Sequence, residues 1–170
     1  MTIYRAYAAI TLDGKIAKHK RHFSDWTSRE DKKIFHKELS KADVVLVGMN
    51  TYKTAKKPLS KRNCIVLTRS VKTTRQEKSN ILFCNPKGKH PKEIIKERGY
   101  KNIAVIGGSE AYSFAIRETM MNELHLTIEP LVFGRGVSLF AEKAESRKFV
   151  LQSVKRLNKK GTLYAIYAVK

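Results

Sequence analysis

The sequence has few cysteines and lacks any long hydrophobic run. Cys64 and Cys84 are too few for a disulfide framework, and neither lies in a Cys-x-x-Cys motif that would indicate metal or redox chemistry. The longest apolar stretches, residues 44–47 and 103–106, are far shorter than the roughly 20 residues that a membrane-spanning helix needs. We therefore expect two buried, unreactive thiols and no membrane span.

A leader segment and a metal-binding motif are missing as well. The first residues enter a strand-like pattern directly, without the basic region, apolar run and small-residue cleavage site of a signal peptide, so we expect a cytoplasmic protein. The histidines show no ligand spacing with cysteine or carboxylate residues, so we expect no bound metal. They are His19, His22, His36, His90 and His125.

Acidic residues are scarce relative to basic ones. The chain has 35 lysines and arginines against 15 aspartates and glutamates, a formal net charge of +20. Such a surface attracts polyanions, which include nucleic acid, a phosphorylated dinucleotide and a carboxylated substrate. The basic residues are scattered and lack repeated aromatic neighbours, so we favour a lysine-rich solvated surface over a nucleic-acid site.

Strand and helix patterns alternate within the 170 residues, of which 42% are hydrophobic. A chain of this length is expected to form a single domain, residues 1–170. The alternation favours an α/β fold with a mixed, mostly parallel central sheet flanked by helices. Strands are predicted at residues 3–10, 44–48, 64–68, 81–84 and 103–106, and helices at residues 28–40, 91–98 and 110–117, with a short one after Gly48.

The pattern changes to strands alone from Glu123 onward. Strands are predicted at residues 123–128, 149–157 and 162–169. The last two flank a polar turn that ends in Gly161, so they predict a C-terminal antiparallel hairpin. The sequence is compatible with either a monomer or a homodimer.

Two apolar strands run directly into glycine and then into a helix. The first leads into Gly48 and the second, from Ile106, into Gly107 and Gly108. Glycine lets the backbone come close to a ligand, and the free N–H groups of a following helix suit a phosphate. Either junction alone is compatible with an ordinary turn, but two in one sheet indicate a dinucleotide. The candidate residues around them are Asn50, Thr51, Ser109, Glu110, Ala111 and Tyr112.

The ordered motifs of this chain resemble those of the dihydrofolate reductases from residue 1 to about residue 140. The matching segments are residues 8–17, Trp26 with Asp31 and Phe35, residues 48–52, Pro58 and Leu59, Arg62, Gly107 and Gly108 with Tyr112, and residues 124–127. The resemblance implies a dihydrofolate reductase-like fold, NADPH as cofactor and reduction of 7,8-dihydrofolate to tetrahydrofolate.

The chain is also similar to a sister branch, the reductase domain of the bifunctional riboflavin-biosynthesis deaminase-reductases. Residues 13–17, 27–30 and 133–140, together with His36, are closer to that branch. This second resemblance implies reduction of 5-amino-6-(5-phosphoribosylamino)uracil. However, the Asp-Asp-Pro element of that branch is here Lys56-Lys57-Pro58.

The choice of the folate branch depends on Asp31. In the folate enzymes a carboxylate at this point hydrogen-bonds the pterin, and burial raises its pKa to suit acid-base work near neutral pH. Helical spacing puts Asp31 and Phe35 on one face of the predicted helix. The alternative interpretation is an exposed acid in the first turn, stabilised by the helix dipole.

The resemblance assigns the remaining roles. Thr127 would support Asp31 as a catalytic residue, whereas Ala9, Phe35 and Arg62 would bind substrate, Arg62 through the carboxylate of a folate tail. Besides the glycine-loop residues, the cofactor ligands would be Ala9, Ile16, Thr68, Arg69 and Ser70, the last three at the 2′-phosphate. Each also fits an ordinary core, strand or surface position.

One position departs from the folate pattern. Met49 stands where the family usually has an arginine or lysine for the cofactor phosphates, which leaves Arg69 and Lys72 to supply that charge. Three functions therefore stay open. They are a dihydrofolate reductase, a riboflavin-pathway pyrimidine reductase, and a catalytically silent polyanion-binding or nucleic-acid-binding protein on the same fold.

Overall fold

A computed structural model describes residues 1–142 and 144–170. The strands are β1 (Ile3–Thr11), β2 (Lys15–Ala17), β3 (Val44–Gly48), β4 (Cys64–Leu67), β5 (Thr74–Lys78), β6 (Ile81–Cys84), β7 (Asn102–Val105), β8 (Glu123–Glu129), β9 (Val137–Ser138), β10 (Phe149–Arg156) and β11 (Leu163–Val169). The helices are α1 (Arg29–Leu39), α2 (Met49–Thr54), α3 (Lys56–Leu59), α4 (Pro91–Glu97) and α5 (Ser109–Arg117).

Nine strands form one mixed sheet in the order β10-β11-β8-β1-β7-β3-β4-β6-β5. The strands from β8 to β6 in this order pair in parallel, whereas β5, β11 and β10 join antiparallel. The predicted mixed, mostly parallel sheet is therefore confirmed. The C-terminal hairpin is confirmed too, with β11 between β8 and β10.

Apolar side chains cover both faces of the sheet. One core joins strand residues such as Leu46 and Val105 to α4 and α5, and the other joins Val45 and Val47 to α1, α2 and α3. The central strands are buried on both faces because helices cover both, which explains their continuous apolar runs. Because these central strands run parallel, their carboxyl ends lie at one common edge of the sheet.

Four short elements have no counterpart among the predicted ones: β2, β5, β9 and α3. Strand β5 consists of Thr-Arg-Gln-Glu-Lys and is largely exposed at the sheet edge, so no apolar alternation marks it. Strands β2 and β9 pair only with each other, outside the main sheet.

The described residues were expected to contain neither a membrane-spanning helix nor a metal-binding cluster. In residues 1–142 and 144–170, no helix is long and apolar enough to cross a membrane. The same residues contain no group of three or more histidine, cysteine, aspartate or glutamate side chains that could bind a metal ion.

Candidate active site

A deep cleft lies at the carboxyl ends of the parallel strands. Its volume is about 1650 Å³, larger than the roughly 300–1,000 Å³ of a typical single-ligand pocket, so it has room for two compounds. The structure brings nearly all the predicted site residues together there. The lining includes Ala9, Ile16, Asp31, Phe35, Gly48, Asn50, Thr51, Thr68, Arg69, Ser70, Ile106, Gly107, Gly108, Ser109, Glu110, Ala111, Tyr112 and Thr127.

The two glycine junctions pack directly against each other. The backbone N–H of Gly48 donates to the Gly107 carbonyl at 2.6 Å. A Cβ atom added to Gly108 would lie 3.2 Å from Thr51 Oγ1, closer than most side chains tolerate. Beneath the loops, the Tyr112 hydroxyl donates to the Tyr7 carbonyl at 2.6 Å. The two loops therefore form one surface that a ligand can approach closely only because glycine lacks a side chain.

Helix α5 begins at this glycine surface. Gly108 precedes its first residue and supplies no side-chain hydrogen bond to the helix. The first N–H groups of an α-helix have no partner within the helix, and the helix dipole makes them electropositive. Ser109, Glu110 and Ala111 line the cleft at this point, so the arrangement suits a phosphate group.

The loop after β4 presents hydroxyl and cationic groups to the same cleft. Thr68 Oγ1 lies 2.9 Å from Ser70 Oγ and accepts a hydrogen bond from Ser70 N at 3.1 Å, which orders the turn around Arg69. Lys87 also lines the cleft, although the sequence did not single it out. Lys72 is not among the described residues that line the cleft. Arg69 and Lys87 are therefore the candidate residues for binding a cofactor phosphate at this loop.

The Asp31 carboxyl lies at the other end of the cleft, on the first turn of α1. Burial raises its pKa above the ordinary value, and the negative charge of Glu129 raises the pKa further. Hydrogen bonds with the side chains of Thr127 and Thr27 act in the opposite direction. This geometry agrees with the inward-facing role expected for Asp31 and Thr127 rather than with an exposed helix-start acid.

A buried glutamate that the sequence did not reveal positions α1. Ser28 Oγ accepts from Asp31 N at 3.2 Å and caps the start of α1. In a capping box the side chain of the third residue would bond back to the cap N–H. Here Ser28 N donates instead to Glu129 Oε1 at 2.6 Å, which leaves Asp31 available to the cleft. Glu129 is 101 positions away from Ser28, so no local pattern could identify it.

Trp26 contributes an unused hydrogen-bond donor. Its indole Nε1 is buried and has no hydrogen-bond partner among the residues that the structure describes. The side chain lines the cleft and packs edge-on against Phe133, with ring centroids 5.1 Å apart. A buried N–H group without a hydrogen-bond partner is costly to the folded state.

Arg62 does not join this arrangement. Its Nη1 donates a hydrogen bond to the Leu39 carbonyl at 3.0 Å, so the guanidinium caps the C-terminal end of α1. The residue lies in a separate shallow depression with Lys57, Pro58, Ser60 and Lys61. Lys32, next to Asp31 on α1, and Lys53 on α2 are instead cations that do line the cleft.

Comparison with known proteins places the chain among relatives of similar length and fold. It is 27% identical over 170 residues to the uncharacterised protein YwjB of Bacillus subtilis, covering 95% of this chain and 96% of that protein. A dihydrofolate reductase from Enterococcus faecalis, complexed with NADP(H), superimposes with a TM-score of 0.67 at 23% identity, covering 99% of this chain and 96% of the other. This superposition confirms a dihydrofolate reductase-like fold.

The riboflavin branch is represented by a longer protein. The diaminohydroxyphosphoribosylaminopyrimidine deaminase/5-amino-6-(5-phosphoribosylamino)uracil reductase of Thermotoga maritima superimposes with a TM-score of 0.73 at 19% identity. The alignment covers 98% of this chain and 56% of that one. The family model of the RibD C-terminal domain matches residues 5–163. Because this match spans most of the sequence, the chain belongs to the RibD C-terminal domain family.

Proposed function

We propose that this protein is an NADPH-dependent reductase whose substrate is a phosphoribosylated aminopyrimidine of the 5-amino-6-(5-phosphoribosylamino)uracil kind. Membership of the RibD C-terminal domain family supports this assignment over the folate one. The observation that carries the proposal is the single cleft that joins a glycine surface at one end to a buried carboxyl at the other. The first suits a dinucleotide and the second suits a flat nitrogen heterocycle.

The cofactor half of the cleft fits NADPH on three counts. A Cβ on Gly108 would crowd the Thr51 hydroxyl, so the bare glycine backbone suits a closely approaching phosphate, and the start of α5 offers free N–H groups. Arg69 and Lys87 supply positive charge where a 2′-phosphate would need it. When bound there, the cofactor supplies the hydride, and the protein's contribution is binding and orientation.

The substrate half matches the edge of a uracil ring. The ring N–H of a uracil lies between two carbonyl oxygens, so it needs a partner that both accepts and donates. A protonated carboxyl meets both needs, and burial of Asp31 favours its protonated form. Lys32 and Lys53 line the cleft and can contact the ribosyl phosphate.

A dihydropterin is the second candidate, and the Asp31–Thr127 contact favours it. An ionised Asp31 would accept from the 2-amino and ring N–H groups of a pterin, with Thr127 beside it, as the resemblance to dihydrofolate reductases implies. The two substrates therefore need opposite protonation states of one carboxyl. Binding of the pyrimidine should weaken as the pH rises through the pKa of Asp31, whereas binding of dihydrofolate should strengthen.

The test is to follow NADPH absorbance with each substrate in turn, over a range of pH. We expect faster turnover of the phosphoribosyl aminopyrimidine. An Asp31→Leu variant should lose most of that turnover, whereas Asp31→Asn should keep it, because an amide both accepts and donates a hydrogen bond. Faster reduction of dihydrofolate would overturn the choice of substrate. A protein that oxidises no NADPH with either compound, yet binds a polyanion with steeply salt-dependent affinity, would overturn the reductase assignment.

A further inference from the structure

Three side chains form a hydrogen-bonded chain that leads from the surface into the cleft. The His125 ring is 6% exposed, its Nε2 lies 3.0 Å from Glu123 Oε2, and its Nδ1 lies 2.6 Å from the Tyr164 hydroxyl. Both His125 and Tyr164 line the cleft. The strand β8 places Glu123, His125 and Thr127 on one face, and β11 places Tyr164 beside Thr127.

The outer end of this chain is an ionised carboxylate. The Glu123 side chain is 35% exposed and pairs with Arg5 Nε at 3.0 Å. Burial alone would raise the pKa of Glu123, but hydrogen bonds from His125 and Arg5 outweigh that effect and lower it. Glu123 can therefore accept a hydrogen bond from a protonated Nε2 of His125 and stabilise a positively charged ring.

The inner end is a phenol that stays neutral. Burial raises the pKa of Tyr164. Electrostatic repulsion from Glu38, Tyr7 and Asp31 raises that pKa further. A tyrosinate is strongly disfavoured in this setting. Tyr164 can therefore give up its proton only if it receives another one at the same time.

Other charged and titratable groups surround the histidine. The Tyr7 ring of β1 packs on it with centroids 4.8 Å apart, and Arg5 reaches its carboxylate partner from the same strand. From α1, Glu38 and Asp31 act on Tyr164, and from β10 the Lys155 ammonium lies 5.6 Å from the Tyr164 ring centroid. Carboxylates and cations therefore both lie around the His125 ring and its two hydrogen-bond partners.

We propose that Glu123, His125 and Tyr164 form a proton-donating triad that supplies the proton consumed when the substrate is reduced in this cleft. The inference rests on the proposed function. The ribosylamino group of this substrate provides a carbon–nitrogen double bond when its sugar ring opens, because the C1′–O4′ bond breaks and the N–H proton moves to O4′. Reduction of that double bond adds a hydride to C1′ and moves the π electron pair to nitrogen, which then takes a proton. Tyr164 gives its hydroxyl proton to that nitrogen, directly or through one water, while the His125 imidazolium passes its Nδ1 proton to Tyr164.

The step balances in atoms and charge. The histidine begins as an imidazolium and ends neutral, with its remaining proton on Nε2 facing Glu123. The proton that it loses becomes the new N–H bond of the product. Solvent restores the imidazolium between turnovers. Neither Asp31 nor the cofactor has to change its role, because Asp31 binds the ring edge and the triad supplies the proton.

The test compares Tyr164→Phe and His125→Gln with the wild-type protein in single-turnover reduction with NADPH. We expect each variant to lower the rate by about a hundredfold, the scale of a missing general acid, with substrate affinity little changed. The pH dependence of the rate and its solvent deuterium isotope effect should both diminish. Free imidazole should partly restore a His125→Ala variant. The matched control is Tyr4→Phe, a buried tyrosine packed in the core on the opposite face of the sheet.

Each other outcome overturns the idea in a recognisable way. If Tyr164→Phe keeps the wild-type rate and pH dependence, Tyr164 does not donate the proton. If it weakens substrate binding while the single-turnover rate holds, its hydroxyl only binds substrate. If the wild-type protein oxidises no NADPH with either substrate, the proposed function fails, and the triad fails with it.

Discussion

Thr162 Oγ1 donates a hydrogen bond to Glu129 Oε2 at 2.7 Å, and this contact ties the start of the last strand to the carboxylate that binds Ser28. Glu129 is only 4% exposed and lies at the end of β8. It therefore joins α1, β8 and the C-terminal hairpin at one point behind the cleft. The position of Asp31 depends on this junction, although Glu129 is not among the residues that line the cleft.

Replacing Glu129 by glutamine should shift the titration of Asp31. The neutral amide can still accept from Ser28 N, so we expect the fold to persist. Because the charge of Glu129 raises the pKa of Asp31, its loss should lower that pKa towards the ordinary value. Any break in the pH–rate profile that belongs to Asp31 should move to lower pH. Glu97→Gln, a change in an exposed surface pair, is the control and should leave the break in place.

Asp31→Asn should lower any turnover of dihydrofolate by at least about a hundredfold and leave NADPH affinity nearly unchanged, because an amide cannot act as an anionic partner of the pterin. It should largely spare turnover of the pyrimidine, which Asp31→Leu should remove. It should also stabilise the protein at neutral pH. Burial raises the pKa of Asp31 in the folded state, so the stability that its protonated form contributes is lost as the pH rises through that pKa. Asparagine does not ionise.

Denaturant unfolding at several pH values measures the second effect. The stability advantage of the Asp31→Asn variant should be largest above the folded-state pKa and should disappear below the ordinary value of 3.8. An Asp31→Leu variant with full turnover, together with an Asp31→Asn variant that has no pH-dependent advantage, would mean that Asp31 is an ordinary helix-start carboxylate.

Arg69→Ala should narrow the preference for NADPH over NADH by about tenfold or more, because a charge-assisted hydrogen bond to a phosphate is worth roughly 1.5–3 kcal/mol. Titration of cofactor binding by fluorescence gives both affinities. Lys87→Ala should act in the same direction, and Lys72→Ala is the matched control because Lys72 is not among the described cleft-lining residues. Equal affinities of the wild-type protein for the two cofactors would contradict the assignment.

Gly108→Ala should weaken NADPH binding by about tenfold or more while the fold is retained. The backbone at Gly108 is extended, with φ of −80°, so an alanine is not strained there. Its Cβ would lie 3.2 Å from Thr51 Oγ1 and would occupy the surface that a phosphate approaches. Gly99→Ala, which has a φ of +69° and no neighbour within 4 Å, should cost stability without affecting the cofactor. Normal NADPH binding by a folded Gly108→Ala protein would show that the glycine junction is only a turn.

Much of the fold follows from local patterns. Ser28 and Ser40 cap α1 at the two ends that the sequence predicts, and the strand at residues 81–84 has the predicted bounds. These elements have strong local signals, because a cap or a continuous apolar run depends on neighbouring residues. The polar edge strand β5 lacks such a signal, since its stability comes from pairing with β6.

The site divides in the same way. The glycine junctions and Asp31 could be predicted, because strand ends and motif order place them together. Glu129, Lys87 and the chain through His125 could not, because their partners come from distant parts of the sequence. A buried glutamate or histidine on a strand has no local pattern that separates a structural role from a functional one.

The last prediction concerns Arg62, to which the resemblance assigned the carboxylate of a folate tail. Its guanidinium binds the Leu39 carbonyl at 3.0 Å, outside the cleft, so Arg62→Ala should lower the free energy of unfolding by about 1 kcal/mol. The KM for either substrate should change little. Lys53→Ala removes a cation that does line the cleft, and it should raise the KM for the phosphorylated pyrimidine several-fold without the same loss of stability. A rise in the KM for dihydrofolate in Arg62→Ala, with Lys53→Ala unaffected, would instead show that Arg62 turns towards a bound folate and would favour the pterin.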